Sequence, residues 1–141
     1  MNLLLRTKEA LYFQSPAGKI LHHPAGFARL TWSAEHTSIE TVKAFYEQAL
    51  ALLLNSGARK ILSDHGSRPP LPGLVQRWLT EDWLPQVIGQ ARARHCAFVE
   101  GTNALHRLAA QSVMNSSPAG FIFQRFATAE AAEAWLTSIR D

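Results

Sequence analysis

The residues that bring the most chemistry into one short stretch of this 141-residue chain are Ser63, Asp64, His65 and Ser67. Side chains of these types supply the nucleophile, the general base and the orienting carboxylate of many hydrolases. Neighbouring residues at the end of a strand point in opposite directions, however, so sequence neighbours rarely form a relay. The chain also lacks the G-x-S-x-G turn that carries a catalytic serine. The stretch therefore predicts a binding loop, and we expect no enzymatic activity.

Metal and cofactor chemistry has little support in the sequence. The chain has no H-x-x-x-H, H-E-x-x-H or C-x-x-C pair, and such spacings are typical of metal sites. The glycines Gly66 and Gly73 do not form a phosphate-binding loop. We therefore expect no metal and no cofactor. The six histidines are dispersed, at His22, His23, His36, His65, His95 and His106.

Composition and charge indicate a soluble globular protein. The net charge is +3, but the 14 basic residues are scattered, and no aromatic residue is interleaved with the densest group, Arg92, Arg94 and His95. We therefore expect no nucleic-acid partner. No run approaches the ~20 apolar residues of a membrane span. The single Cys96 excludes an internal disulfide and predicts a buried thiol in a reducing cytoplasm. We expect one cytoplasmic domain over residues 1–141.

The elements that position the loop are a strand before it and a helix after it. Arg59 to Asp64 reads as a short strand whose apolar centre, Ile61-Leu62, is buried on both sides. The loop runs from His65 to Leu71, and Pro72 opens the helix. Sites in α/β proteins lie at the carboxyl edge of the sheet, where this loop falls. The candidate loop and pocket residues are Asp64, His65, Ser67, Arg68, Trp78 and Trp83.

The helix after the loop carries both tryptophans of this set. An interval of five residues predicts that Trp78 and Trp83 do not share one narrow stripe, so that one of them reaches an edge, a pocket or a partner. Pro85 is expected to bend or restart the helix. The predicted inner face consists of Leu74, Val75, Trp78, Leu79 and Trp83.

Upstream, residues Leu3 to Trp32 read as strands separated by turns, which indicates an antiparallel meander. The last strand of the meander is Phe27 to Trp32. A capping box formed by Thr37 and Glu40 is predicted to begin the first helix, and Asn55-Ser56-Gly57 ends it.

Downstream, the pattern alternates between strands and helices. The expected strands are Arg94 to Glu100 and Phe121 to Phe126. Thr102 or Asn103 caps the helix between them, and Thr128 caps the last one. The inward residues are predicted to be Leu105, Leu108, Ala109 and Val113 in the first of these helices, and Ala131, Ala134, Trp135 and Leu136 in the second. The sequence therefore predicts an α/β fold with a single mixed sheet, antiparallel at first and then parallel, and about four helices.

Four stretches of this arrangement resemble the STAS superfamily, the anti-sigma-factor antagonist fold. The chain is most similar to bacterial STAS-like proteins of unassigned function that are related to the CRAL-TRIO lipid-binding class. The resembling stretches are 27–32 before the first helix, 60–64 after it, Trp78-Leu79 with Trp83-Leu84-Pro85, and 126–136 at the end.

In antagonist members of that superfamily, a phosphorylatable serine opens the helix after the strand that corresponds to 60–64. Ser67 is the nearest serine to that place here, and the usual Asp-Ser-Ser/Thr-Gly arrangement is absent. The resemblance thus implies the fold, whereas this departure argues against a phosphorylation switch.

Two functions from different classes fit these expectations best. The first is a non-enzymatic, regulatory STAS-like module that binds a protein partner, or a second copy of itself, through the loop after the strand at 59–64. The alternative is a small-molecule or lipid carrier with an apolar pocket between the sheet and the helices, lined by residues such as Trp78, Trp83, Phe98 and Phe123. An enzyme that uses Asp64 and His65 is a third and weaker hypothesis.

Overall fold

A computed structural model of the chain describes residues 9–116 and 118–139. Within these residues, six strands form one sheet in which every strand lies beside its neighbour in the sequence. The strands are β1 (Ala10–Ser15), β2 (Gly18–His23), β3 (Phe27–Trp32), β4 (Lys60–Asp64), β5 (His95–Val99) and β6 (Ile122–Phe126). The first three pair in antiparallel fashion and β3 to β6 pair in parallel. The predicted mixed sheet is therefore confirmed, and the part of the meander predicted at 3–8 lies outside the described residues.

Four helices accompany the sheet in the described part of the chain. They are α1 (Ile39–Ser56), α2 (Gly73–Trp78, then a π-helical turn at Leu79–Trp83, then Leu84–Gly89), α3 (Ala104–Asn115) and α4 (Ala129–Ser138). The first three connect successive parallel strands and α4 follows β6, which confirms the α/β fold class. No helix in the described residues is long and apolar enough to cross a bilayer.

The two faces of the sheet carry different helices. Successive side chains of a strand point to opposite faces, so Leu62 packs with Leu136 of α4, whereas Ile61 packs in the larger cluster with α1, α2 and α3. Both residues are buried, at 2% exposed for Ile61 and 0% for Leu62. The prediction that the centre of this strand is covered on both sides is confirmed.

The start of α1 differs from the predicted capping box. Ser38 is the N-cap, and its Oγ accepts a hydrogen bond of 3.1 Å from the backbone N–H of Thr41. The pairing of Thr37 with Glu40 was therefore wrong by one position, because the serine already satisfies the free N–H group at this helix end. The predicted stop is confirmed: Gly57 has a left-handed backbone with φ of 77°, a conformation that glycine adopts without strain.

The inward face of α3 is rotated relative to the prediction. Leu105 and Leu108 are 64% and 69% exposed, whereas His106 is fully buried. The ring of His106 lies 4.7 Å from that of His65 and 6.4 Å from that of Phe98. This aromatic stack, together with the cap at Asn103, sets which side of the helix faces the sheet. The leucines were predicted inward because their spacing is equally helical.

Two other helix faces need smaller corrections. In α2, Leu74 is 67% exposed although it was predicted inward. In α4, Ala131 and Ala134 are exposed, and Ala132 is buried with Leu136. Runs rich in alanine give several helical stripes of similar apolarity, so the sequence alone does not choose among them.

The π-helical turn of α2 changes the relation between its two tryptophans. Trp78 and Trp83 both lie against Tyr46 of α1, with ring centroids 6.1 and 4.8 Å away. The prediction that the two rings do not share one narrow stripe was wrong, because a π turn closes its hydrogen bonds over five residues and not four. The prediction that one of them reaches a pocket agrees with Trp83, which lines a cavity beside this helix. Pro85 follows in the first turn of the restarted helix, in agreement with the predicted restart.

Candidate functional site

The loop after β4 turns its first side chain into the protein. His65 is 3% exposed, and its backbone N–H donates to the carbonyl of Val99 at 3.3 Å. Asp64 is half-buried and has the strand position of Leu62, which faces α4. The carboxylate and the imidazole therefore belong to opposite faces of the sheet, and they do not form a catalytic pair.

A chain of hydrogen bonds holds the His65 ring in place. Trp32 Nε1 donates to Ser63 Oγ at 3.0 Å, Ser63 Oγ lies 3.1 Å from His65 Nε2, and His65 Nδ1 lies 3.2 Å from the Val99 carbonyl oxygen. An indole N–H only donates and a carbonyl only accepts. A neutral His65 therefore carries its proton on Nδ1, and the Ser63 hydroxyl donates to Nε2. Each side-chain polar group of Trp32, Ser63 and His65 in this series of hydrogen bonds therefore has a partner.

Both histidines at the site are neutral near pH 7. Burial holds the pKa of His65 well below its ordinary value of 6.5, and the nearby positive charge of Arg68 lowers it further. The pKa of His106 is lowered to about 4, again by burial first and by Arg68 second. Neither ring nitrogen of His106 has a hydrogen-bond partner within the described residues, so its ring serves as an aromatic surface.

Arg68 is the buried cation of the site, with 4% of its surface exposed. Its Nη1 donates to the Tyr46 hydroxyl at 3.0 Å, and its guanidinium carbon lies 3.4 Å from the centre of the Trp32 ring. Its Nη2 has no hydrogen-bond partner in the described part of the chain. Burial lowers the pKa of Arg68, and stacking on an aromatic face offsets part of the cost of removing the charge from water.

A cavity lies between the sheet and helices α2 and α3. Its cavity volume is about 50 Å³, and the concavity together with the open space at its mouth measures about 550 Å³. Aliphatic and aromatic side chains dominate the lining, and Cys96, whose pKa burial raises to about 12, forms part of it. The lining residues come from α1, the sheet and the loop after β4, α2 and α3, and they include Tyr46, Ser63, His65, Trp83, Phe98 and Ala110.

Two glycines allow the loop to sit against the start of α3. The backbone N–H of Thr102 donates to the Gly66 carbonyl at 2.8 Å. A Cβ at Gly101 would lie 2.7 Å from that same carbonyl oxygen, which is closer than real contacts allow. Glycine at position 101 therefore permits the close approach that keeps His65 and Arg68 turned inward.

The six residues predicted for the site divide into two groups. Arg68 and Trp83 both contact Tyr46, and His65 is linked to the same cluster through Trp32. Trp78 joins this group at its margin: it is half-buried, its ring centre lies 6.1 Å from that of Tyr46, and the Lys43 ammonium lies 5.2 Å from its own ring centre. The other two do not join them, because Ser67 is exposed and Asp64 belongs to the opposite face.

Sequence reasoning missed three central residues: Trp32, Tyr46 and His106. Trp32 and Tyr46 carry no local signal of this role, because nothing in the nearby sequence distinguishes a core aromatic residue from one that holds a cation. His106 carried a signal, namely a position three residues after the helix cap Asn103, from which it accompanies Ala110 and Val113 at helical spacing.

Within residues 9–116 and 118–139, no group of three or more histidine, cysteine, aspartate or glutamate side chains is placed to hold a metal ion. The order of strands and helices is the feature on which a family assignment depends. No protein-family model, no curated protein and no solved structure matches this chain.

Proposed function

We propose that this chain is a STAS-like module that binds a small molecule in the cavity between the sheet and helices α2 and α3. The observation that carries the proposal is the direction of the loop after β4: His65, Arg68 and Leu71 are 3%, 4% and 8% exposed. The loop offers its distinctive chemistry to the interior, so it supports the carrier hypothesis better than a protein-binding loop. The STAS-like assignment draws on the order of strands and helices, and a cytoplasmic location draws on the single free Cys96.

The lining favours an apolar ligand with one hydrogen-bond acceptor. Ser63 and His65 already satisfy each other, so they add shape and polarity but no free donor. The Tyr46 hydroxyl accepts from Arg68, and its own hydrogen has no acceptor among the described residues. A carbonyl or ether oxygen of a ligand would complete that group.

The size of the cavity restricts the ligand further. A cavity that holds benzene measures about 150 Å³, whereas the cavity volume of this site is about 50 Å³. A ligand of more than a few atoms must therefore extend through the mouth or displace a wall. The wall on α2 includes Leu79 and Trp83 of the π-helical turn, and π turns occur frequently at functional sites.

The wall at Trp83 is fixed to α1. Its Nε1 donates to the Tyr46 carbonyl at 2.7 Å, so Tyr46 is held at the backbone by Trp83 and at the hydroxyl by Arg68. Thr80 Oγ1 donates to the carbonyls of Gln76 and Arg77 at 3.2 and 3.1 Å, which satisfies acceptors in the widened turn. We expect the binding mode to depend on this bracing.

Native mass spectrometry of the purified protein tests the proposal. The wild type is expected to carry a small apolar adduct, or to show a thermal shift with anisole or acetophenone, which supply an ether or a carbonyl oxygen as the acceptor. Ala110→Leu fills the cavity from α3 and should abolish both signals. Ala104→Leu is the matched control, because Ala104 is exposed on the same helix, and it should bind as the wild type does. Equal binding by both variants, or no signal in the wild type, would refute the proposal.

Protein binding is the second candidate, and an exposed apolar surface favours it. Leu74, Leu105 and Leu108 are 67%, 64% and 69% exposed, and they lie on α2 and α3, whose facing segments are in contact. Isolated exposed leucines are common, but three on neighbouring helices suit a partner or a second copy. Sedimentation equilibrium compares the wild type with Leu105→Lys. Concentration-dependent dimers that the substitution abolishes would support self-association, and a pull-down without a partner from a strict monomer would argue against this candidate.

A further inference from the structure

A second cavity lies at the carboxyl edge of the sheet, between the start of α1 and the loop that leads into α2. Its cavity volume is about 100 Å³, and the concavity together with the open space at its mouth measures about 510 Å³. It shares only Leu71 with the first cavity. Its apolar wall consists of Ile39, Val42, Leu71 and Val75, and its cationic side chain is Arg68.

Arg68, which lines this cavity, has a guanidinium nitrogen without a hydrogen-bond partner among the described residues. Its Nη1 donates to Tyr46, whereas its buried Nη2 has no partner among the described residues. No carboxylate in that part of the chain lies within ion-pair distance of its guanidinium. Arginine is almost never fully buried unless it is paired, and the cost of leaving a buried charge without a counter-ion is large. The natural complement of a free guanidinium N–H is a carboxylate oxygen.

The surroundings define what kind of anion fits. The cavity lies at the amino end of an 18-residue helix, where the helix dipole favours negative charge. The helical wall is aliphatic at Ile39, Val42 and Val75, and the rest of the lining includes the polar side chains of Ser33, His36 and Thr37. Arg68 is the one unpaired buried cation there among the described residues. A single positive charge next to aliphatic side chains suits a monoanion with a short hydrocarbon tail.

We propose that this second cavity binds a small aliphatic carboxylate, with the carboxylate on Arg68 Nη2 and the hydrocarbon tail against Val42 and Val75. The linings of the two cavities have only Leu71 in common, and Arg68 connects them through its hydrogen bond to Tyr46 of the first cavity. Glu35, an exposed residue at the rim, disfavours a dianion such as phosphate. It also limits the affinity for a monoanion, so its neutralisation should strengthen binding.

Isothermal titration calorimetry with butyrate tests the site, with butyramide and inorganic phosphate as comparison ligands. The wild type is expected to bind butyrate at least tenfold more tightly than either. Arg68→Met should lose butyrate binding by at least tenfold. Arg77→Met should bind as the wild type does, because Arg77 is an exposed arginine of α2 (72% of its side chain). Equal affinity for butyramide or phosphate, or unchanged binding by Arg68→Met, would overturn the proposal.

Three further variants keep the result interpretable. Val42→Phe fills the same cavity without touching the charge, and it should also abolish butyrate binding if Arg68→Met does not fold. Glu35→Gln should raise the affinity two- to fivefold; a loss would mean that Glu35 helps to hold the ligand and would overturn the assignment. Ala110→Leu should bind butyrate normally, which separates a failure here from a failure of the first cavity.

Discussion

Two buried cations at opposite ends of the same strand have very different surroundings. Lys60 begins β4, and its ammonium donates to the carbonyls of Leu136 and Ile139 at 3.0 and 2.9 Å. Arg68 follows the other end of the strand, makes one hydrogen bond to Tyr46 and retains a buried Nη2 without a partner. Both side chains are about equally buried, at 5% and 4% exposed, so burial alone does not explain the difference.

The difference teaches which cation is structural and which is available to a ligand. The end of a helix supplies carbonyl groups that lack intrahelical partners, and Lys60 completes the end of α4 in this way. Arg68, on the loop beyond β4, meets the aromatic face of Trp32 and the hydroxyl of Tyr46, but it meets no carboxylate in the described residues. A buried cation that is fully partnered stabilises the fold, whereas one with a donor left over indicates a binding site.

The largest expected effect comes from the residue that lies between these two ends. Leu62→Asp places a carboxylate without a partner in the fully buried centre of the sheet, at a cost of more than about 4 kcal/mol. The substitution should therefore unfold the protein, and with it the surroundings of both Lys60 and Arg68 would be lost. Circular dichroism melting checks this, with Leu54→Asp at an exposed position of α1 as the control. A cooperative transition near the wild-type midpoint would show that the strand is misplaced.

The second prediction sets the two cations against each other. Lys60→Met leaves two helix carbonyls without their charged donor and should cost about 2–3 kcal/mol. Arg68→Met removes a charge that is only partly compensated and should change stability by less than about 1 kcal/mol. Urea denaturation of both variants gives the comparison. Equal losses would mean that Arg68 is as well satisfied as Lys60.

The third prediction concerns the packing that keeps the loop turned inward. Gly101→Ala brings a Cβ against the Gly66 carbonyl and should cost about 1–3 kcal/mol. It should also weaken butyrate binding, because the loop carries Arg68. Gly73→Ala is the control, since nothing lies within 4 Å of a Cβ there. An unchanged unfolding free energy for Gly101→Ala would mean that the loop moves without cost.

The smallest effect is a pH dependence at the loop end of β4. The pKa of His106 falls from 6.5 to about 4 on folding, so the unfolded chain takes up its proton first as the pH drops. Stability is therefore full above pH 6.5 and declines between 6.5 and about 4. His106→Leu should be neutral or slightly stabilising at pH 7, and it should reduce the loss at pH 4 by about 1–2 kcal/mol. Identical pH profiles for both proteins, measured by urea denaturation, would contradict this assignment.

The fold could be predicted from the sequence further than the site could. The apolar run at Ile61-Leu62 and the cap at Thr128 act locally, and the structure agrees with both. The inward turn of Arg68 depends on Tyr46 and Trp32, which are 22 and 36 positions earlier in the chain. A charged loop residue is expected to face water, and only these distant aromatic residues reverse that expectation.

The choice between His106 and its leucine neighbours failed for the same physical reason. Leucine is the better core residue by transfer energy, and Leu105 and Leu108 have helical spacing. The stack on His65 and Phe98 outweighs that preference, because three aromatic rings from different elements meet there. Contacts of this kind involve residues from three parts of the chain, so no local pattern predicts them.

The sequential order of the strands bears on how the protein is made. Each strand pairs with the one synthesised just before it, so the sheet can grow one strand at a time as the ribosome releases the chain. Helix α4 emerges after the six strands, and its end supplies carbonyls that bond to Lys60. A nascent chain paused before α4 would therefore hold these six paired strands before the carbonyl partners of Lys60 in α4 are available.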